Sequence, residues 1–105
     1  MKPNWKETAR YPYPGPVFYE TGKYQYGLDY QMTFVRGFVE TRVNGPNTAF
    51  AITTYTIEWV SGQQYGISIN KHFHSPRAGQ QARAWCEYMI THPISGWLPF
   101  KEQVR

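Results

Sequence analysis

A chain of 105 residues is the length of one ordinary domain, long enough to close a core without staples, and its 41% hydrophobic content is that of a globular protein. Nine Tyr, six Phe and four Trp make 18% of the chain, more than a core this small hides, so several rings must stand at the surface or in an interface. The net charge of +4, from 11 Lys and Arg against 7 Asp and Glu, suits an acidic partner such as nucleic acid, and simple solubility accounts for it equally well.

The single cysteine, Cys86, excludes an intrachain disulfide, and its place on an apolar helical stripe makes it a small core residue rather than a nucleophile. A reducing compartment, the cytoplasm, is the expected location. No apolar run follows Lys2 and no segment has the length to cross a bilayer, so neither secretion nor membrane insertion is expected.

Residues 1–22 carry Pro3, Pro12, Pro14 and Pro16 interleaved with Trp5, Tyr11, Tyr13, Phe18 and Tyr19. That composition suits extended or polyproline backbone, and its rings predict an arm that wraps over the domain or over a second copy. Residues 23–74 read as a β-meander. Tyr24, Tyr26, Leu28, Tyr30, Met32 and Phe34 share one parity, and a single strand continued to Val43 would be too long, so a break or bulge is expected between Gly27 and Tyr30 or at Gly37. Beyond Gly37 the pattern reverses: Val35, Val39 and Val43 form the smooth apolar set, leaving Phe34, Arg36, Phe38, Glu40 and Arg42 opposite.

Asn44-Gly45-Pro46-Asn47 is a turn, because Gly and Asn tolerate positive φ and Pro cannot continue a ladder. Thr48 to Val60 is strand-forming, and its apolar parity shifts from Phe50 and Ile52 to Tyr55, Ile57 and Trp59, which predicts a bulge at Thr53-Thr54. After a second turn at Ser61-Gly62-Gln63-Gln64, the next strand alternates cleanly: Tyr65, Ile67, Ile69 and Phe73 on one side, Ser68, Asn70, His72 and His74 on the other.

Residues 75–92 predict a helix, with Ser75 as N-cap and Pro76 in the first turn, ended by His92-Pro93. Ala78, Ala82, Trp85, Cys86 and Met89 form its buried stripe, expected to lie on Ile67 and Ile69. Residues 93–105 form a tail that should pack Trp97 and Phe100 on the core. The expected architecture is thus α+β: one domain with three or four antiparallel strands, one C-terminal helix on one face and an extended N-terminal arm. A partly closed barrel with an appended helix is the alternative.

A one-sided sheet has an open face, and the parities put Phe34, Arg36, Phe38 and Arg42 there beside Asn70, His72 and His74, with Lys71 in the same stretch. Rings stack on bases while Arg neutralises phosphate, so these eight residues form the candidate nucleic-acid surface, expected to favour single strands. The competing reading is a protein-binding module: small, aromatic-rich, cysteine-poor chains look like viral or mobile-element accessory proteins that bind and inhibit a host protein. Surplus rings also fit a homodimer.

His72-Phe73-His74 places two imidazoles on one side of a strand, a spacing able to chelate a divalent metal, with His92 as a third ligand if it lies near. The same three residues resemble the His-hydrophobic-His element of the HUH endonucleases, in which the histidines hold a metal and a helix tyrosine attacks the DNA phosphate. That resemblance would make Tyr88 the nucleophile of a His-dependent nuclease. This sequence departs from the family's pattern in having His92 four residues after Tyr88 where the family's helix usually carries Lys. Its alternation also places Tyr88 and the histidines on opposite sides of the sheet. The order of elements, strands then a helix opened by Ser75-Pro76 and carrying Ala82-x-x-Trp85, is similar to the sheet-reading DNA-binding domains of phage integrases. No phosphate loop, paired carboxylates or Ser-His-Asp or Cys-His arrangement is present, so no catalytic residue, resident metal or cofactor is assigned.

Overall fold

The computed structural model describes residues 3–12, 15–28, 31–42 and 47–92. Six strands precede one helix: β1 (Trp5–Arg10), β2 (Val17–Thr21), β3 (Tyr24–Leu28), β4 (Gln31–Arg42), β5 (Thr48–Trp59), β6 (Gln64–His74) and α1 (Ala78–Thr91). The class is therefore α+β, with more strands than the meander read from the sequence. All pairings are antiparallel, in the order β1-β2-β4-β5-β6, and β3 also pairs with β4.

The added strands come from the segment read as an arm. Trp5 to Thr21 forms a hairpin, closed by the Tyr11 N–H donating to the Pro16 carbonyl at 3.0 Å, and it joins the sheet instead of wrapping over it. Pro12 and Pro16 sit in the connection and Pro3 precedes β1, where no ladder N–H is asked of them.

β2 and β3 lie along the same edge of β4. β2 pairs with its second half (Glu20↔Phe38) and β3 with its first (Tyr24↔Val35). Between them Gly22 and Lys23 break the strand, and the Thr21 hydroxyl accepts the Gly37 N–H at 2.8 Å in place of a ladder carbonyl. One extra residue shifts the parity, so Tyr24 faces the same side as Val35. The break expected between Gly27 and Tyr30 falls between β3 and β4, after Leu28. Gly37 interrupts nothing on the β5 side, where pairing runs unbroken from Gln31↔Trp59 to Arg42↔Thr48.

The bulge expected at Thr53-Thr54 is absent. Ala49, Ala51, Thr53, Tyr55 and Ile57 are all buried on one face, and Phe50 and Ile52 take the other. Pairing by hydrophobicity alone misassigned them, because this face accepts Ala and Thr. The reason lies in the helix. Its buried residues are Ala78, Ala82, Cys86 and Ile90, and small side chains let it approach the sheet closely. A Cβ added at Gly37 would meet Ile90, Cys86 and Trp5 atoms at 3.2 to 3.3 Å, and one at Gly79 would meet Thr41 Cγ2 at 3.0 Å. Bulkier residues have no room there.

The helix is seated mainly on β4 and β5, and the expected contact with Ile67 and Ile69 of β6 lies at its flank. Ile90 packs with Val35, Tyr55 and Ile57, while Ile67, Ile69 and Met89 flank that cluster half-buried. Trp85 leans on Phe73 and is likewise half-buried. On the opposite flank the Trp5 indole N–H donates to Glu87 Oε2 at 3.3 Å. The Tyr55 hydroxyl donates to the Met89 carbonyl at 2.9 Å, tying the last helical turn to the sheet.

The helix begins two residues later than its capping signal predicts. Ser75 Oγ accepts the Arg77 N–H at 3.1 Å and the Ser75 carbonyl accepts the Ala78 N–H at 3.0 Å, so Ser75-Pro76-Arg77 is a turn leading into α1. Arg77 holds the N-cap position without a side-chain cap. The turn after β5 comes slightly earlier than expected, as the three-residue loop Val60-Ser61-Gly62: Gly62 adopts φ +93, its N–H donates to the Trp59 carbonyl at 2.8 Å, and the Trp59 N–H donates to the Gln63 carbonyl, so that Gln64 already belongs to β6. The expected Asn44-Gly45-Pro46-Asn47 turn lies mostly outside the described residues, as does Val43, and the tail from residue 93 lies wholly outside them.

Candidate functional site: the open face of the sheet

With α1 on the odd-numbered side of β4, β5 and β6, the even-numbered residues of these strands form a face that no described element covers. The register arranges them in rows across four strands. Phe18, Glu40, Phe50 and His72 stand directly opposite one another, and the next row is Glu20, Phe38, Ile52 and Asn70. Arg36, Thr54 and Ser68 follow, and Arg42, Thr48 and His74 form the row on the other side.

These rows bring rings into one patch. The Phe18 and Phe38 centroids are 5.8 Å apart, Phe50 lies 4.6 Å from the His72 ring at 38°, and Tyr11 meets Phe18 edge-on at 5.8 Å and 77°. Phe18, Phe38, Phe50 and Ile52 are only partly buried, so ring surface remains available. Phe34 lies farther along β4, with Lys23 Nζ 5.9 Å from its centroid.

Charge on this face is mixed. Arg36 and Arg42 are exposed, and Arg42 Nε is 4.0 Å from Glu40 Oε2, the outer limit of an ion pair. Among the described residues Arg36 has no carboxylate at ion-pair distance. Glu20, Glu40 and Glu58 share the face, and Glu58 accepts a hydrogen bond from the Gln64 amide.

Of the candidate surface, Phe34, Arg36, Phe38, Arg42, Asn70, His72 and His74 all fall on the open face. Lys71 does not. It pairs with Ala51 on the helix-bearing side, with Nζ 5.4 Å from the Phe73 centroid, because period-two alternation puts it opposite its neighbours Asn70 and His72. Sequence reasoning missed Phe18, Phe50 and Ile52. Phe18 was assigned to the arm, and Phe50 and Ile52 to a core parity. The available signal was the unbroken alternation of Ala49, Ala51, Thr53, Tyr55 and Ile57, which needs no bulge once small residues are allowed inside.

The geometry does not assemble a nuclease centre. His72 and His74 project from the open face, whereas Tyr88 and His92 stack at 4.2 Å at the end of the helix on the other side. Among the described residues no three His, Cys, Asp or Glu side chains are grouped to share a metal ion. Cys86 is buried between helix and sheet, beside the Thr53 hydroxyl at 3.7 Å, and desolvation pushes its thiol up to about 11, which keeps it protonated and unreactive.

On the helix side a cleft of about 310 Å³ is lined by Tyr19, Thr41, Arg77, Gly79, Gln80 and Arg83. Its polar groups are engaged locally: the Arg83 guanidinium lies over the Tyr19 ring at 4.9 Å, Arg77 donates to Gln80, and Thr41 Oγ1 donates to the Val17 carbonyl at 3.4 Å. No helix among the described residues is long and apolar enough to cross a membrane. Comparison with protein families, characterised proteins and solved structures finds no match to this chain.

Proposed function

We propose that the open face of the sheet binds nucleic acid, single-stranded by preference, without catalysis. The observation that carries this reading is the contiguous patch of partly exposed rings, Phe18, Phe38, Phe50 and His72, flanked by Arg36 and Arg42 on a face that no described helix covers. Unstacked bases lie on such rings, and a sheet surface offers them side by side. Glu20 and Glu40 among the rings oppose close phosphate contact, so stacking supplies more of the affinity than charge does.

A fluorescent single-stranded oligonucleotide titrated at low salt tests the reading. Binding is expected there, with Phe38→Ala and Phe50→Ala each weakening it by about 1–3 kcal/mol per stacked base lost. An oligonucleotide that fails to bind at low salt ends the proposal. The carboxylates on the face favour a second reading, a protein partner with complementary charges and an apolar centre, as expected of an accessory protein that blocks a host factor. In that case the oligonucleotide is ignored and Phe50→Ala abolishes binding to the protein target.

A further inference from the structure

The two edges of the sheet are built differently. β1 is short, is broken by a register shift between Glu7 and Ala9, and carries a Glu7–Arg10 ion pair at 2.7 Å, all devices that discourage another strand from adding on. β6, at the other edge, is 11 residues long, pairs with β5 without a shift from Gln64 to His74, and contains no proline. Lys71 is its one full charge.

Hydrogen bonds at its two ends show which backbone groups are left over. The Trp59 N–H donates to the Gln63 carbonyl at 3.0 Å and the Ser75 N–H to the Asn47 carbonyl at 3.1 Å, so odd-numbered residues turn their N–H and C=O toward β5. Alternation in an antiparallel ladder then points those of Gln64, Gly66, Ser68, Asn70, His72 and His74 outward. Among the described residues no strand meets them.

We infer that the chain pairs with a second copy of itself along β6, antiparallel, about a two-fold axis at Ile69. Ile69 is the middle residue of the strand, so this axis lets its whole length pair. Ser68 then stands opposite Asn70 of the second copy, Gly66 opposite His72, Ile67 opposite Lys71, and Tyr65 opposite Phe73. No like charges meet, and the residue facing the His72 ring is a glycine, whose Cβ position has only the Tyr55 carbonyl within 4 Å, at 3.8 Å. The isoleucines meet at the axis on the helix side, where Ile67, Ile69, Phe73, Trp85 and Met89 are each half-covered in one copy and Tyr88 is 54% exposed. A second strand beside them continues that apolar layer. The symmetry is isologous, so the contact closes at two copies instead of propagating.

The axis runs perpendicular to the sheet, which puts both helices on one side and both open faces on the other. Dimerisation is independent of what the open face binds. If it binds a strand of nucleic acid, the two patches join across the axis through Asn70, His72 and His74.

Light scattering on the purified chain, with amide exchange on the same sample, tests the pairing. A mass of two chains is expected, with the outward amides of Gly66, Ser68, Asn70 and His72 protected and losing that protection on dilution to the single-chain mass. Ser68→Pro, which deletes an outward N–H and leaves the β5 ladder intact, should halve the mass without changing the circular dichroism. A wild-type mass of one chain overturns the inference. So does a two-chain mass in which those amides exchange freely, since the copies would then meet elsewhere. The exchange measurement decides even if the proline variant does not fold.

Discussion

Along the first half of the helix the two faces of this sheet differ in bulk, small residues lying beneath the helix and rings on the side away from it. Under Ala78, Ala82 and Cys86 lie small residues, Gly37, Val39, Ala49, Ala51 and Thr53, with Tyr55 and Ile57 filling the far end beneath Ile90, whereas the other side carries Phe18, Phe34, Phe38, Phe50 and Ile52. Size explains the difference. A helix presenting Ala78, Ala82 and Cys86 gains dispersion energy by coming close, and close approach requires small partners, so the rings on the helix side stand at its flanks and end while those of Phe38 and Phe50 take the other face. Rings kept out of the core are available to a ligand, and that surplus motivates the functional proposal.

Substitutions on the two faces should therefore separate stability from binding. The largest loss of stability is expected for Ile90→Ala, about 2–5 kcal/mol by denaturant unfolding, because Ile90 is fully buried among Val35, Tyr55 and Ile57. Phe50→Ala, across the sheet, should cost only about 1 kcal/mol, as its ring is already partly in water. Equal losses would mean that the open face is a second core. Gly37→Ala should destabilise by about 1–3 kcal/mol through contact with Ile90, Cys86 and Trp5, while Gly66→Ala, whose new methyl would meet only the Tyr55 carbonyl at 3.8 Å, should be neutral or stabilising. Arg36→Ala is expected to leave stability unchanged and to lower the slope of log affinity against log salt by about one phosphate. An unaltered slope would remove Arg36 from the interface.

Much of this was legible in order along the chain. Alternation in Tyr65 to His74 assigned His72 and His74 to one side and Ile67 and Ile69 to the other, and Val35 and Val39 gave the correct inner parity of β4. A turn around Gly62 and the helix after β6 followed from residue chemistry acting over a few positions. Ser75 and Pro76 marked the approach to the helix but not its first turn, since the same hydroxyl that can cap a helix here closes a turn ahead of it.

What local pattern left undecided depends on partners far away in sequence. Whether Phe50 or Ala51 faces inward turns on the width of the gap to α1, which is set by residues some 30 positions later. Whether the proline-rich start is an arm or a hairpin turns on a free edge of β4 to pair with, and that edge exists only once β4 has formed. Periodicity reports how side chains alternate, because backbone geometry is local. Which side becomes the core is a matter of fit between surfaces, and only the assembled sheet and helix decide it.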